Sequence, residues 1–308
     1  MDFGSDKVDQ VCPAPDPAPH APRRFALPAG AVDTHAHVVG HSFVPERSYT
    51  PPPASAGQYL SMLDAVGTTY GVLVQISVHG TDNTVMLEAV EGARDRLRAV
   101  AVVAPDVDDR TLAHLQDSGV VGLRLNTLSG GGIGLDQLAR YDAICAEMGW
   151  HLQFLTNTRH LAAAAADLRT LTVPYVVDHM GDFDVAAGVD APEWTQFLKL
   201  MADGAWTKLS GAFRMARTAD YSDTIPFAQS LIEAAPDRCV WGSDWPHVGF
   251  WGQMPNVGDL LDLLPAWAPD PATREAILTT NAQRLYGFTY LQTPVAGVTP
   301  EIRQSPNE

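Results

Sequence analysis

Short apolar segments rich in β-branched residues alternate with longer amphipathic segments along most of the chain. The short segments are almost continuously apolar, which is typical of parallel strands covered by helices. Eight segments meet this description: 31–38, 70–77, 97–103, 120–126, 151–156, 175–180, 206–211 and 239–244. The segments between them repeat apolar residues at helical spacing, and several end in Gly or run into Pro, where helices stop.

This repetition predicts the architecture. Eight strand–helix units across residues 30–290 indicate an α/β protein with a (β/α)8 TIM barrel, a fold that takes about 250 residues. A doubly wound open sheet is the alternative. It is disfavoured because no strand is followed by a glycine-rich phosphate loop, and the run SGGGIG at 129–134 lacks the required spacing.

The two ends of the chain lack this pattern. Residues 1–29 are rich in proline, which predicts an extended N-terminal arm, and residues 291–308 are expected to form an irregular tail. The barrel domain is therefore expected to span 30–290. The arm has no apolar segment of the kind found in secretory signals. The sequence has no run of about eighteen apolar residues, so no membrane helix is predicted.

Composition narrows the class of partner. The chain has 36 acidic and 20 basic residues and a formal net charge of -16, which argues against nucleic acid as a partner. Three cysteines, Cys12, Cys145 and Cys239, form neither a zinc pattern nor a disulfide framework, which favours the reducing cytoplasm. An acidic enzyme that binds an anion needs local arginines at its site, while the oligomeric state is left open.

The first predicted strand has an unusual polar pattern, VDTHAHVVG at 32–40. On a regular strand Asp33, His35 and His37 share one face. Two imidazoles buried on one face need partners, because burying an unpaired polar group is costly. The pair therefore favours a metal site or a substrate site over a purely structural role.

Active sites of TIM barrels lie at the carboxyl ends of the strands, where six strands of this chain carry polar residues. Asp244 follows an apolar strand, so a buried carboxylate there needs a cationic or hydrogen-bonding partner. Arg124 lies within an apolar strand, which indicates an anionic ligand or a carboxylate beside it. Asp178 is expected to be structural, because alternation with His179 turns it towards the helices.

A set of motifs spread over residues 30–290 resembles the amidohydrolase superfamily: DTHAHV, VQISVHGTDN, GLRLN, DHMG, WGSDWPH and TNAQRLYGF. Within it, the chain is similar to the amidohydrolase-2 type branch that includes 2-pyrone-4,6-dicarboxylate lactonases, sulfomuconolactone hydrolases and sugar-acid lactone enzymes. The resemblance implies a TIM-barrel hydrolase that opens the ring of a small carboxylated or sulfonated lactone.

The resemblance also bears on metal. Metal-dependent relatives take a ligand from strand five, where this chain has Gln153, Phe154 and Leu155, and His151 lies at the wrong end of that strand. The implied site therefore has no metal or other cofactor. The alternative is a zinc ion held by four residues: His35, His37, His179 and Asp244.

A second departure concerns the substrate. Pyrone dicarboxylate lactonases are expected to have a further basic residue after the GLRLN arginine and a tyrosine on strand five. This chain has TLSGGGIG and Phe154 instead. The resemblance therefore implies a mono-anionic lactone, whose anion Arg124 and Arg214 would bind.

Lactone hydrolysis requires an activated water, a polarised carbonyl and a stabilised oxyanion. We expect Asp244 to deprotonate the water. The expected hydrogen-bond donors to the oxyanion are three histidines: His35, His37 and His179. The expected secondary contacts are Ser77, His79, Asn126 and His247, the last through Asp244 or the product.

Three other functions stay open. A lactone isomerase on the same scaffold would pass the acyl group of a sugar acid between hydroxyls instead of to water. A decarboxylase of the same superfamily would need the metal. A degenerate barrel that binds a small acid without reaction is the non-enzymatic alternative.

Overall fold

A computed structural model describes residues 8–289 of the chain. Within them, eight strands form one parallel sheet in which each strand pairs with the next along the chain. The strands are β1 Val32–Ala36, β2 Tyr70–Val74, β3 Leu97–Ala101, β4 Val120–Asn126, β5 His151–Leu155, β6 Tyr175–Val177, β7 Trp206–Leu209 and β8 Cys239–Trp241. Each lies inside its predicted segment.

The sheet nearly closes on itself between β8 and β1. The backbone N–H of His37 donates to the carbonyl oxygen of Trp245 at 2.8 Å, and the N–H of Asp244 donates to that of His35 at 2.8 Å. These contacts carry the β8 end onto the β1 end. The predicted (β/α)8 barrel is confirmed.

Helices connect the strands and cover the outside of the barrel. They are α1 Ala56–Val66, α2 Thr84–Glu91, α3 Asp109–Asp117, α4 Leu138–Met148, α5 Thr158–Ala163, α6 Ala165–Leu168, α7 Pro192–Ala202, α8 Ala212–Met215, α9 Ile225–Ala234, α10 Val257–Leu261, α11 Leu264–Trp267, α12 Pro271–Leu278 and α13 Thr280–Tyr286. Short 3-10 turns lie between some of them. In the described part of the chain, none of these helices is long and apolar enough to cross a membrane.

Helix α1 shows how the local sequence defines an element. Ser55 and Gln58 form a reciprocal capping box at its start, and Gly67 ends it in the left-handed conformation. Its apolar residues recur at helical spacing and are buried: Tyr59, Met62, Leu63 and Val66. The helix therefore packs one face on the barrel and exposes the other.

The amino end of the barrel is filled and closed. Valines from five strands form an inner cluster, into which Ala282 and Tyr286 of α13 also pack: Val32, Val72, Val74, Val100, Val176 and Val240. This packing leaves the carboxyl ends of the strands as the open side, where TIM barrels bind ligands.

The described part of the N-terminal arm follows the barrel surface. The backbone N–H of Cys12 donates to the carbonyl oxygen of Thr50 at 2.8 Å, and that of Arg24 donates to Asp262 at 2.7 Å. All three cysteines are buried free thiols. The predicted tail at 291–308 lies outside the described residues.

Candidate active site

A cleft opens at the carboxyl ends of the strands. Six of the ten residues predicted for the site line it: His37, Ser77, Arg124, His179, Arg214 and Asp244. The rest of the lining is Tyr49, Leu128, Ser129, Leu155, Asp182 and Val248. The barrel thus brings side chains from seven different strand ends into one place.

Asp244 lies beyond β8 and is fully buried. Its Oδ2 accepts a hydrogen bond from Arg214 Nε at 2.7 Å. Its Oδ1 accepts no hydrogen bond from any described residue, although the Nε2 atoms of His35, His37 and His179 each lie 3.7 Å away. Burial by itself raises the pKa of Asp244, but the Arg214 guanidinium beside it holds that pKa well below its usual range.

His35 and His37 come from the end of β1, and their Nε2 atoms lie 3.3 Å apart. His37 Nδ1 is 2.7 Å from the carbonyl oxygen of Val74, which only accepts, so Nδ1 carries a proton. Burial lowers the pKa of His37 to about 3 and that of His35 well below its usual value. Both rings are therefore neutral near pH 7, and the Nε2 atom of His37 is an acceptor.

His179 follows β6 and reaches the cleft through a left-handed backbone, with φ of 51°. Its Nδ1 lies 2.9 Å from Ser210 Oγ, and its Nε2 faces Asp244 Oδ1 at 3.7 Å. Burial lowers the pKa of His179, so this ring is also neutral near pH 7. His179 therefore presents Nε2 to the carboxylate side of the cleft.

Asp178 lies inside the barrel, next to the side chains of the site. Its Oδ2 accepts a hydrogen bond from Gln153 Nε2 at 3.0 Å and lies 3.5 Å from Arg124 Nη2, while Oδ1 lies 3.5 Å from Lys208 Nζ. Burial raises the pKa of Asp178, but the cationic groups of Lys208 and Arg124 hold it well below its usual range. It is therefore an ionised, charge-balanced group.

The prediction that Asp178 faces the helices is therefore wrong. Regular alternation places Asp178 inward with Val176, which belongs to the inner cluster. His179 is the residue that departs from alternation, because its left-handed backbone turns it to the same side. Both residues consequently face the interior.

Asp33 does not share a face with His35, contrary to the prediction from a regular strand. The pairing of β1 with β2 shifts register between Asp33 and Ala36, an irregularity that breaks the alternation. Asp33 instead accepts hydrogen bonds from Ser243 Oγ at 2.6 Å and from Tyr59 of α1 at 3.2 Å. It anchors the segment that leads to Asp244.

Arg124 on β4 reaches the cleft with hydrogen-bonding capacity left over. Its Nη1 donates to the carbonyl oxygen of Gln75 at 3.0 Å, and Nη2 lies 3.5 Å from Asp178 Oδ2. Its buried Nε has no hydrogen-bond partner among residues 8–289. A guanidinium group with an unused donor beside a cleft favours an anionic ligand.

Arg214 is bound to the protein itself. Besides the bond from Nε to Asp244, its Nη2 donates to the carbonyl oxygen of Val248 at 2.9 Å, and its guanidinium lies 5.1 Å from the ring centre of Phe213. These contacts orient Asp244. Its predicted contact with substrate stays a prediction.

Ser77 lines the cleft, and Asn126 lies next to Ser77 without being part of the lining. Asn126 Nδ2 donates to Ser77 Oγ at 2.9 Å, and Asn126 Oδ1 accepts from the backbone N–H groups of Leu128 and Ser129 at 2.8 and 3.0 Å. Asn126 therefore shapes a loop of the cleft wall. Its direct contact with substrate stays a prediction.

His79 and His247 are not part of the cleft lining. His79 Nε2 accepts from the backbone N–H of Gly40 at 3.3 Å, and its ring stacks on Phe43. The His247 ring is buried edge-on against Phe213, and its two ring nitrogens have no hydrogen-bond partner among the described residues. Their predicted roles remain untested.

Lys208 on β7 is absent from the predicted site. It is completely buried, and its Nζ lies 2.8 Å from the carbonyl oxygen of Thr34, 2.8 Å from Gln153 Oε1 and 3.2 Å from His35 Nδ1. Burial lowers the pKa of Lys208 to about 8, so it is mainly protonated near pH 7. A lysine within the apolar run WTKLSG is the signal that the sequence offered.

Within residues 8–289, two groups of side chains have the spacing of metal ligands. The ligand atoms of His35, His37 and Asp244 lie within 4.8 Å of one another, and so do those of His35, Asp178 and His179. The first group belongs to the zinc set that the sequence predicts as an alternative.

Most of the chain is similar to known proteins. Residues 32–288 match the family model described as Amidohydrolase. The chain is 38% identical over 279 residues to 4-sulfomuconolactone hydrolase of Hydrogenophaga intermedia. That match covers 86% of this chain and 91% of the relative. The chain is 37% identical over 280 residues to 2-pyrone-4,6-dicarboxylate hydrolase of Comamonas testosteroni, which covers 85% and 92%.

A solved structure from Pseudomonas putida, assigned as a 2-pyrone-4,6-dicarboxylic acid hydrolase, has 31% sequence identity and a TM-score of 0.75. The match covers 86% of this chain and 100% of that one. The family match over residues 32–288 and the two curated relatives show the family of the chain. This chain belongs to the amidohydrolase family.

Proposed function

We propose that the protein is an enzyme that hydrolyses a small mono-anionic lactone. The observation that carries this proposal is Asp244 Oδ1, an ionised and buried carboxylate oxygen that accepts no hydrogen bond from any described residue and borders the cleft. Such an oxygen is suited to take a proton from a water molecule. The two curated relatives, named as hydrolases of a sulfomuconolactone and of a pyrone dicarboxylate, support the same reaction class.

Attack begins with a water held between Asp244 Oδ1 and His37 Nε2, which are both acceptors. The low pKa of Asp244 keeps it ionised at physiological pH, which makes it a weak base at rest. The proton therefore moves to Asp244 only as the water oxygen bonds to the carbonyl carbon and becomes more acidic. The proton then passes to the ring oxygen when the bond between that oxygen and the carbonyl carbon breaks.

The hydrogen bonds change the roles proposed for the histidines. His37 uses its one N–H on Val74, so in the neutral state it binds water and does not donate to an oxyanion. His35 is not in the cleft lining and acts through His37. We assign the oxyanion to His179 Nε2. This assignment requires the ring proton on Nε2, and therefore a hydrogen bond that Nδ1 accepts from Ser210 Oγ, 2.9 Å away.

Substrate binding is assigned to Arg124, whose Nε is directed at no described partner. The other walls are less suited to a second anion. Leu128 and Leu155 are apolar, Asp182 is acidic, and Arg214 already neutralises Asp244. A lactone with one carboxylate or sulfonate matches this lining.

The site is proposed to work without a metal ion. The 3.3 Å between the Nε2 atoms of His35 and His37 suits two ligands of a zinc ion, whose bonds to nitrogen are about 2.0–2.1 Å long. The protons do not suit it, because the hydrogen bond between these two atoms needs a proton on His35 Nε2. Strand β5, from which metal-dependent relatives take a ligand, has Gln153 here. The amide of Gln153 is hydrogen-bonded to Lys208 and Asp178.

A substrate screen with product analysis tests the proposal. Purified protein, first assayed for metal by elemental analysis, is given neutral, mono-anionic and dianionic lactones. We expect an open-chain acid and one proton released per turnover, the highest kcat/KM on a mono-anionic lactone, and no loss of activity with chelator.

Other products would overturn the assignment in distinct ways. A rearranged lactone without proton release identifies an isomerase. Carbon dioxide release that chelator stops and zinc restores identifies a decarboxylase. Tight binding of one acid, with no turnover of any lactone, ester or amide, identifies a binding protein.

A further inference from the structure

Lys208 has hydrogen-bond acceptors for all of its protons. An ammonium group has three N–H donors and no acceptor. Lys208 Nζ lies within hydrogen-bond distance of three atoms: the carbonyl oxygen of Thr34 at 2.8 Å, Gln153 Oε1 at 2.8 Å and His35 Nδ1 at 3.2 Å. Asp178 Oδ1 is a further acceptor, 3.5 Å from Nζ. An ammonium group that bonds to the three nearer atoms requires each of them to accept, because it has no lone pair of its own. This requirement places the lone pair of His35 on Nδ1.

The tautomer of His35 follows from that lone pair. A neutral imidazole that accepts at Nδ1 carries its proton on Nε2. His35 Nε2 lies 3.3 Å from His37 Nε2, which is an acceptor because His37 donates from Nδ1 to Val74. The hydrogen bonds therefore run in one direction, from Lys208 through His35 and His37 to the backbone.

Asp178 offers His35 a different proton arrangement. Asp178 Oδ1 lies 3.2 Å from His35 Nδ1 and 3.5 Å from Lys208 Nζ, so it competes with Lys208 as the partner of His35 Nδ1. If Lys208 were absent, a proton on His35 Nδ1 would face this carboxylate, and Nε2 would then present a lone pair. With the proton on Nε2, His35 donates a hydrogen bond to His37. With the proton on Nδ1, the Nε2 lone pair of His35 is able to bind a cation.

We propose that Lys208 is a positioning residue that keeps the proton of His35 on Nε2, and thereby aligns His37 with the attacking water and prevents His35, His37 and Asp244 from binding a divalent cation. The buried charge of Lys208 adds to the second effect, because it repels a cation bound at the other nitrogen of the same ring. The role in aligning His37 rests on the proposed lactone hydrolysis. The exclusion of a cation does not.

The first test uses the unaltered protein. Nitrogen-15 NMR of histidine side chains distinguishes the two tautomers, and the His35 signal is the one lost in His35→Gln. We expect the Nε2–H tautomer for His35 in the wild type. A proton on His35 Nδ1 overturns the proposal, whatever any variant does.

The second test compares Lys208→Met with Lys199→Met, a matched change of an exposed lysine on α7. Calorimetric titration with zinc chloride measures the affinity of chelator-treated protein. We expect Lys208→Met to bind zinc at least about tenfold more tightly than the wild type, as changes to groups behind a metal ligand alter affinity about 10–100-fold. Lys199→Met should match the wild type. Equal affinity in all three proteins overturns the proposal.

The third test separates the positioning role from a structural one. On a lactone that the wild type hydrolyses, Lys208→Met should lower kcat about a hundredfold with little change in KM, since misplacing a reacting group costs about that much. Unchanged kcat in a folded Lys208→Met refutes the alignment of His37. If zinc and NMR give the expected results but no lactone reacts, the function fails and the cation exclusion stands. If Lys208→Met does not fold, the wild-type tautomer alone decides.

Discussion

Both ends of the barrel bury polar groups that lack hydrogen-bond partners among residues 8–289, and those at the carboxyl end belong to side chains that line a cleft. At the carboxyl end, Asp244 Oδ1 and Arg124 Nε have no hydrogen-bond partner among the described residues and belong to side chains lining the cleft. At the amino end, the ring nitrogens of His151 and the hydroxyl of Tyr286 likewise have none within residues 8–289.

The amino end is closed by packing. The rings of His151 and Tyr286 meet edge to face at 5.1 Å, and Gly122 makes room, since a Cβ there would lie 2.6 Å from His151 Cε1. An unpaired buried polar atom therefore does not by itself indicate a functional site. Access and convergence of charged groups are also required, and the following changes test that distinction.

The largest effect is expected from Asp244→Asn, which removes the proposed base. Activity should fall by at least about a thousandfold, within the range attributed to general base catalysis. The asparagine still offers an oxygen to Arg214, so the fold and ligand binding should persist, as measured by circular dichroism and equilibrium binding. A fully active Asp244→Asn would show that another group activates the water.

Arg124→Met should raise KM for a mono-anionic lactone about a hundredfold, because charge-assisted hydrogen bonds to an anion contribute roughly 1.5–3 kcal/mol. KM for a neutral lactone should change little. Steady-state kinetics on the matched substrates measures the difference, with the exposed Arg94→Met as the control. An equal rise for both substrates would point to a structural role of Arg124 beside Asp178.

His151→Leu should change stability and leave kcat unchanged. Burial lowers the pKa of His151 to about 3, against about 6.5 in an unfolded chain. Between these values the unfolded state binds the extra proton, so the free energy of unfolding falls as pH falls below about 6.5. His151→Leu has no such proton to bind, so its free energy of unfolding does not fall in this way. The difference in free energy of unfolding between variant and wild type should therefore shift by about 2–3 kcal/mol in favour of the variant between pH 7.5 and pH 4.5.

Urea unfolding at the two pH values measures that gain. A loss of activity in a stable His151→Leu would mean that the amino end communicates with the cleft, and the contrast between the two ends would fail.

The smallest effect is expected from Tyr286→Phe. Removing a buried hydroxyl that has no partner in the described chain should change the free energy of unfolding by no more than about 1 kcal/mol and leave kcat/KM unaltered. Thermal unfolding and kinetics check both. A large loss of stability would reveal a partner for this hydroxyl, such as a buried water.

Much of the site follows from the sequence because it depends on local order. Asp244 follows an apolar strand, and Arg124 interrupts one, so both stand out without any knowledge of contacts. Asp33 and His179 show where this reasoning stops. A register shift in β1 and a left-handed backbone after β6 change which way a side chain points, and neither leaves a periodic trace in the sequence.

The sequence by itself determined the eight strands, their order and the end of the barrel that holds the polar residues, because apolar runs and chain direction are local properties. Only the tertiary structure determined which ring nitrogen of His35 carries the proton. Lys208 on β7, Gln153 on β5 and His35 on β1 meet across the interior when the sheet closes, and that meeting determines which nitrogen of His35 donates. Distances between strands that are far apart in the chain are a product of closure, so no pattern along the chain records them.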